Sequence, residues 1–183
     1  MKKCIIFLAE GFEEVEALTP ADLLRRVKLE VLTVSVDNTD YVTGSHGICV
    51  KADCKLKDFN KNEAGILILP GGMPGTNHLL ENETLCELLR EFHEKNKRIA
   101  AICAAPMILG KLGLLEGKKA TCYPGYEEDL KGATYVKEEV VTDGNITTSR
   151  GMGTAVAFGL ELVRILDSET EAGALKNKII YRQ

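Results

Sequence analysis

The stretch RIAAICAAPMILG, residues 98–110, predicts a buried strand, a sharp turn and the first turns of a helix. Its short apolar run, RIAAIC, is typical of a strand that is covered on both faces. Pro106 suits the first turn of the following helix, where its missing N–H costs little. Cys103 therefore lies at a strand-to-helix junction, and the small alanines around it permit a tight turn.

The same alternation of strand and helix recurs along the rest of the chain. Apolar runs predict further strands in KKCIIFLA, LEVLTVSV and AGILILPGG, and helical periodicity marks EEVEALTPADLLRRV, ENETLCELLREFHEKN, GTAVAFGLELVRIL and SETEAGALKNKII. Two stretches predict hairpins, YVTGSHGICVKA and ATYVKEEVVTDGNITTS, the second about Asp143-Gly144. We expect one α/β domain over residues 1–183, a three-layer sandwich with helices on both faces of a mostly parallel sheet.

Composition and charge narrow the class of protein. The 183 residues are 45% hydrophobic and 27% charged, which is typical of a soluble globular fold with a substantial core. The net charge of −4, without any cluster of lysine and arginine, argues against nucleic-acid binding. No targeting segment is visible, and no apolar run approaches the ~18 residues of a membrane span. We expect a cytoplasmic protein without membrane contact.

Cysteine and histidine spacing gives no sign of a metal site. The chain has six cysteines and three histidines, with no C-x-x-C, H-x-H or H-x-x-x-H pattern. Most of the cysteines are predicted to be small buried residues. We expect neither a metal nor a cofactor.

Three loops are predicted to meet at the carboxyl edge of the sheet, where ligands bind in folds of this class. They are AEGFEE (9–14), PGGMPGTNH (70–78) and CAAP (103–106). In the third loop, Cys103 is either a nucleophile or a packed core residue. The helix after it would favour the thiolate over the thiol.

The other two loops supply candidate partners for Cys103. Gly71 and Gly72 can turn backbone N–H groups toward a developing oxyanion. One of Glu13, Glu14 and Glu16 can aim a carboxyl at the thiol as acid, base or hydrogen-bond partner. Helical spacing does not choose among these three glutamates. The sequence also leaves undecided whether His46 or His78 contacts Cys103. For each histidine, a surface or pocket-lining position is the simpler interpretation.

Four motifs in this order carry a resemblance to a known family. LAEGFEEVEALTPADLLRR (8–26), LPGGMPG (69–75), IAAICAAP (99–106) and TSRGMGTA (148–155) resemble the ThiJ/PfpI family over nearly the whole chain. The nearest branch is that of Parkinson disease protein seven and its bacterial relatives. The resemblance implies a flavodoxin-like sandwich, a homodimer, and a reactive Cys103 that oxidises readily to sulfinate. It implies a protonated Glu16 hydrogen-bonded to that cysteine, with Gly72 and the backbone of Ala104 at an oxyanion-type site.

The activities assigned to this family are glutathione-independent glyoxalase III activity, protein deglycation, chaperoning and, in one branch, proteolysis. Many members place a histidine near the cysteine, before a proline; here TCYPGY (121–126) puts Tyr123 at that position. Ala104 stands where the peptidase-like branch carries a histidine. Both departures weaken a peptidase interpretation and leave Glu16 as the main candidate for proton transfer.

The sequence therefore predicts a cysteine-dependent enzyme acting on reactive carbonyls. Its substrates would be methylglyoxal, converted to lactate, or glycated protein or nucleotide. Cys103 and Glu16 would be catalytic, and Gly71, Gly72, Ala104 and Tyr123 would form the pocket. The alternatives are a redox sensor or chaperone without turnover, and, less favoured, a cysteine peptidase or a small-molecule binding module.

Overall fold

A sheet between two layers of helices forms the centre of the computed structural model, which describes residues 2–182. The strands of this part of the chain are β1 Lys3–Leu8, β2 Val31–Ser35, β3 Tyr41–Thr43, β4 Cys49–Lys51, β5 Cys54–Lys55, β6 Ala64–Leu69, β7 Arg98–Ile102, β8 Lys119–Ala120, β9 Thr134–Tyr135, β10 Val140–Asp143 and β11 Ile146–Ser149. Its α-helices are α1 Glu14–Arg26, α2 Gly75–Glu81, α3 Glu83–Glu94, α4 Pro106–Lys111, α5 Ala155–Leu166 and α6 Glu169–Lys178.

The strand order of the large sheet is β10-β11-β7-β6-β1-β2-β5, and only β10 runs antiparallel to its neighbour. The predicted mostly parallel sheet is confirmed. Because β1, β6 and β7 are adjacent and parallel, the loops that follow them leave the sheet at one edge. This arrangement brings together the three loops on which the candidate site depends.

Alternation along the strands divides the core into two layers. In β1, Ile5 and Phe7 face the layer that includes α2, α3 and α4, whereas Ile6 and Leu8 face α1, α5 and α6. All four side chains are buried, as expected for a strand covered on both faces. The three-layer sandwich is therefore as predicted. Within residues 2–182, every helix is too short or too polar to cross a bilayer.

Local details differ from the prediction in three places. Helix α2 lies in a stretch predicted as loop, because its first residues, Gly75 and Thr76, are weak helix formers and packing of buried Leu79 stabilises it. The stretch APMILGKLGLL predicts a helix that reaches residue 115, but α4 ends at Lys111, and Gly113 follows with φ +73°. The hairpin at Asp143-Gly144 is confined to β10 and β11, since β9 pairs with β8 instead.

Candidate active site

A cleft of about 530 Å³ opens where the loops after β1, β6 and β7 meet. Its walls include Glu16, Gly72, Cys103 and Tyr123, which come from four separate segments of the chain. The structure thus brings together four of the residues that the sequence analysis selected for the site.

Cys103 occupies a strained turn directly after β7. Its φ of +66° lies in the left-handed region, which non-glycine residues seldom adopt and which costs on the order of 1–3 kcal/mol. Two backbone hydrogen bonds hold this conformation: the Cys103 N–H donates to the Ser149 carbonyl at 3.0 Å, and the Tyr123 N–H donates to the Cys103 carbonyl at 2.8 Å. The predicted elbow is therefore present, with the Cys103 side chain partly exposed to the cleft.

Among the three glutamates at the start of α1, the structure places Glu16 beside the cysteine. Glu16 is 1% exposed, and its Oε2 accepts a 2.9 Å hydrogen bond from the Gly71 N–H. Glu14 is also buried but points to the β3–β4 hairpin, where its Oε1 accepts from the His46 N–H at 2.9 Å. Glu13 lines the cleft. Tertiary packing distinguishes carboxyls that helical spacing leaves equivalent.

Gly71 allows the thiol and the carboxyl to approach each other. A Cβ at this position would lie 2.6 Å from both the Cys103 Cβ and the Glu16 Oε2, and 3.1 Å from the Cys103 Sγ. Its N–H is already donated to Glu16, so Gly71 does not offer a donor to an oxyanion. The structure therefore gives Gly71 a different place from the predicted one, as a support for Glu16.

The N–H groups of Gly72 and Ala104 are directed at the Cys103 sulfur, and both lower the pKa of its thiol. Gly72 has φ +90°, and a Cβ there would lie 2.3 Å from the Glu13 backbone nitrogen, so only glycine fits. Two N–H groups converging on one point can hold negative charge that develops beside the sulfur. The oxyanion role that the family resemblance implies for these two residues stays a prediction.

The thiol and the carboxyl compete for protons. Burial raises the pKa of Glu16 to about 7, against downward effects of hydrogen bonds with Cys103 and Gly71. Burial and the adjacent Glu16 carboxylate raise the pKa of the Cys103 thiol to about 12. These upward effects outweigh the downward effect of the N–H groups of Gly72 and Ala104, so the surroundings of Cys103 oppose the thiolate that the following helix was expected to favour.

The two histidines considered for the site are far from equivalent. His46 lines the cleft, and its Nδ1 lies 3.1 Å from the Glu14 Oε2. His78 lies outside the cleft lining, with its Nδ1 2.8 Å from the Glu10 carbonyl oxygen. Neither ring is hydrogen-bonded to Cys103 within the described structure, so a cysteine–histidine pair is absent from residues 2–182.

The loop after β11 completes the far wall of the cleft. It supplies Arg150 to Thr154, which lie in the TSRGMGTA motif and are not among the predicted site residues. Gly151 lies against the Tyr123 ring, since a Cβ at Gly151 would be 3.2 Å from the Tyr123 Cδ2. Tyr123 is 50% exposed and forms the rim of the cleft.

One group of side chains brings possible metal-ligating atoms together. In the described part of the chain, only Glu13, Glu14 and His46 place three such atoms within 4.8 Å of one another. Glu14 already accepts hydrogen bonds from the N–H groups of His46 and Ile48, and Ser45 donates to Glu13. The three side chains therefore satisfy one another as a hydrogen-bonded network, which needs no ion.

All six cysteines are free thiols. Cys4, Cys86 and Cys122 are buried, which is half of the set rather than the predicted majority; Cys54 and Cys103 are partly buried and Cys49 is exposed. Burial raises the pKa of Cys4 and Cys122 to about 11. Cys103 differs from the others in combining a cleft position with a carboxyl partner.

Comparison with known proteins shows which family and which relatives this chain resembles. The family model described as DJ-1/PfpI matches residues 2–165. The chain is 39% identical to Protein DJ-1 homolog B of Arabidopsis thaliana over 99% of its own length. It is 37% identical to Deglycase PfpI of Pyrococcus furiosus, covering 88% of this chain and 98% of that protein. The chain spans less than half the length of the plant relatives that it matches, 42% and 47%.

Solved structures agree with this comparison. Oxidized DJ-1 of Toxoplasma gondii superposes with a TM-score of 0.94 at 34% identity, and each chain is covered completely.

Proposed function

The chain belongs to the DJ-1/PfpI family, and from this premise we propose that it is a cysteine-dependent enzyme that acts on reactive carbonyl compounds. The observation that carries the proposal is the pairing of Cys103 with buried Glu16 beside two convergent N–H groups. A thiol, a proton acceptor and an oxyanion site are the parts that nucleophilic addition to an aldehyde requires.

The first step is addition of the thiol to the aldehyde. Ionised Glu16 accepts the thiol proton, the sulfur forms a bond to the aldehyde carbon, and the carbonyl electron pair moves to oxygen. The alkoxide lies against the N–H groups of Gly72 and Ala104. Return of the proton from Glu16 gives a neutral hemithioacetal.

The second half of the reaction is an internal redox change. In methylglyoxal, the hydrogen on the former aldehyde carbon leaves as a proton to Glu16 and returns to the neighbouring carbon, while the hydroxyl proton of the hemithioacetal passes to the ketone oxygen. The first carbon thereby becomes a thioester as the second becomes an alcohol. Water then hydrolyses the thioester, releasing lactate and the free thiol, so no external oxidant or reductant is needed. With a glycated protein or nucleotide, the sulfur would replace the amine on the hemiaminal carbon, and the amine would leave with a proton on its nitrogen. The same internal redox change and hydrolysis of the thioester would then release the acid.

The relatives named deglycase support the enzyme class, and the open cleft supports access for a bulky adduct. The test is formation of lactate from methylglyoxal by purified protein, compared with a Cys103→Ala variant. Equal rates in the two proteins would reject the mechanism.

A second candidate is a peroxide-responsive protein, favoured by the exposure of Cys103 to the cleft. Each of two peroxides would transfer one oxygen to the sulfur and leave as water, giving a sulfinate. If this is the main role, mass spectrometry after mild peroxide should show faster oxygen gain at Cys103 than at exposed Cys49. Oxygen gain at Cys103 that is no faster than at Cys49 would exclude this role.

We also propose a homodimer formed through the outer face of α1. Four exposed apolar residues line one groove there: Val15, Leu18, Ile48 and Ile180, with 40%, 36%, 56% and 74% exposure. An Asp22–Arg26 ion pair edges the groove, so a two-fold related copy would set each charge against its opposite.

We expect Leu18→Glu to convert the dimer to monomer, because it buries a carboxylate in the apolar groove. The measurement is molar mass by light scattering across a dilution series. Tyr41→Glu, at an exposed position outside the groove, should keep the wild-type mass. A monomeric wild-type protein, or a dimer unaffected by Leu18→Glu, would contradict this interface.

A further inference from the structure

The tip of the β3–β4 hairpin carries a titratable side chain to the mouth of the cleft. We propose that His46 is a positioning residue: its ring holds the Glu13 carboxylate at the cleft wall, and its charge sets how tightly Glu16 keeps a proton. The inference rests on the proposed role of Glu16 as proton carrier. It assigns the regulation of that step to a residue outside the thiol–carboxyl pair.

The ring of His46 is held by contacts to both neighbouring carboxylates. Its Nδ1 lies 3.1 Å from the Glu14 Oε2, 3.4 Å from the Glu13 Oε2 and 3.1 Å from the Ser45 Oγ. Glu14 fixes the backbone below the ring, because its Oε1 accepts from the His46 N–H at 2.9 Å and the Ile48 N–H at 3.3 Å. The position of the ring is therefore determined by the start of α1.

Glycine at position 44 permits this close approach. A Cβ at Gly44 would lie 2.3 Å from the Glu14 Cδ, so the hairpin lies directly against the buried carboxyl. The Gly44 N–H also donates to the Ile48 carbonyl at 3.0 Å, which closes the turn that presents His46. The hairpin and the first turn of α1 thus form one packed unit at the cleft wall.

Glu13 connects this unit to the catalytic pair. Its backbone N–H donates to the Gly71 carbonyl at 2.8 Å, and the Gly71 N–H donates to the Glu16 Oε2 at 2.9 Å. Both Glu13 and Glu16 line the cleft, and the Glu13 charge raises the pKa of Glu16. Among the residues described, the side-chain partners of Glu13 are Ser45 and His46.

The charge of His46 decides whether the negative charge of the Glu13 carboxylate is compensated by a neighbouring positive charge. Hydrogen bonding to Glu14 and the Glu13 charge raise the pKa of His46 above its usual value. Protonated His46 compensates Glu13, so Glu16 ionises more readily and can accept the thiol proton. Once His46 loses its proton, the Glu13 charge acts unopposed and Glu16 keeps its own proton to higher pH.

Besides Glu13, Glu16 and His46, the charged and titratable groups that line the cleft are Cys103, Tyr123 and Arg150. Burial raises the pKa of both Cys103 and Glu16, and the contacts with Glu14 and Glu13 raise the pKa of His46. The charge changes on which the inference depends are those of His46 and Glu16.

The experiment measures the reactivity of Cys103 without requiring turnover. Iodoacetamide labelling at residue 103 is followed by peptide mass spectrometry across pH in the presence of EDTA, with all variants at matched oligomeric state. We expect His46→Gln to raise the midpoint of the profile by about half a pH unit, the size of an exposed charge interaction. His46→Arg should restore or lower the midpoint, since its charge is permanent.

His78→Gln is the matched control, because His78 is bonded to the Glu10 carbonyl and lies outside the cleft lining. Its midpoint should equal that of the wild-type protein. In a Glu13→Gln background, His46→Gln should shift nothing, which separates the proposed charge coupling from local unfolding of the hairpin. An unchanged midpoint in His46→Gln, or an equal shift in the Glu13→Gln background, would overturn the inference. Absence of carbonyl turnover would reject the proposed enzyme activity without altering this labelling result.

Discussion

Replacing Cys103 with alanine is expected to reduce lactate formation from methylglyoxal to the rate without protein. The proposed pathway runs through a carbon–sulfur bond, and no other cysteine of the described chain lines the cleft. Loss of a nucleophile of this kind costs on the order of 10³-fold or more in rate. Alanine occupies less volume than cysteine and keeps the backbone intact, so the fold should survive the change.

The matched control is Cys49→Ala, which removes an exposed thiol from the β3–β4 hairpin. It should retain the wild-type rate in the same lactate assay, measured with the two proteins at equal concentration. Circular dichroism and a thermal melt would show that both variants are folded. Lactate formation that survives Cys103→Ala would mean that the carbonyl chemistry does not use this thiol.

Glu16→Gln is expected to inactivate the protein and at the same time to stabilise it above neutral pH. A glutamine amide cannot take the thiol proton, and loss of a general base typically costs 10²–10⁴-fold in rate. It can still accept the Gly71 N–H through its Oε1, because the amide and the carboxyl have nearly the same shape. Activity and stability should therefore change in opposite directions.

The stability effect follows from the raised pKa. Glu16 titrates near pH 7 in the folded protein against an ordinary value of 4.5. Below pH 4.5 the carboxyl is neutral in both states and costs nothing. As the pH rises toward 7, the unfolded chain ionises first, so wild-type stability falls, and above pH 7 the loss is complete at roughly 3 kcal/mol. Glu16→Gln removes this loss and should raise the free energy of unfolding at pH 8 by up to about that amount.

Glu14→Gln, two residues earlier on the same helix, is the matched control. It is expected to change the free energy of unfolding at pH 8 in the opposite direction. Burial raises the pKa of Glu14, but hydrogen bonds from its own backbone N–H and from the N–H groups and ring of the hairpin outweigh it and lower the pKa. Its carboxylate therefore stabilises the folded state at pH 8. Urea denaturation at pH 8 should show Glu16→Gln above the wild type and Glu14→Gln below it. Equal or lower stability of Glu16→Gln at pH 8 would contradict the buried, proton-binding carboxyl.

The sequence predicted the features that depend on local pattern. The strand alternation of Ile5 to Leu8, the helices and the tight turn at Cys103 follow from short-range periodicity and small side chains. Helix α2 was missed because its stability comes from packing of Leu79 rather than from propensity.

The features of the candidate site also separate into those that the sequence predicted and those that depend on tertiary contacts. The sequence alone determined that a cysteine at a strand-to-helix junction, a Gly-Gly loop and an acidic helix start share one edge of a parallel sheet, since strand order and alternation are local properties of the chain. The tertiary structure decided which glutamate meets the thiol, that Gly71 supports the carboxyl rather than an oxyanion, and that His46 rather than His78 lies at the cleft. These outcomes depend on contacts between segments far apart in sequence. Burial set by those contacts raises the proton affinities of Cys103 and Glu16, which no short-range pattern encodes.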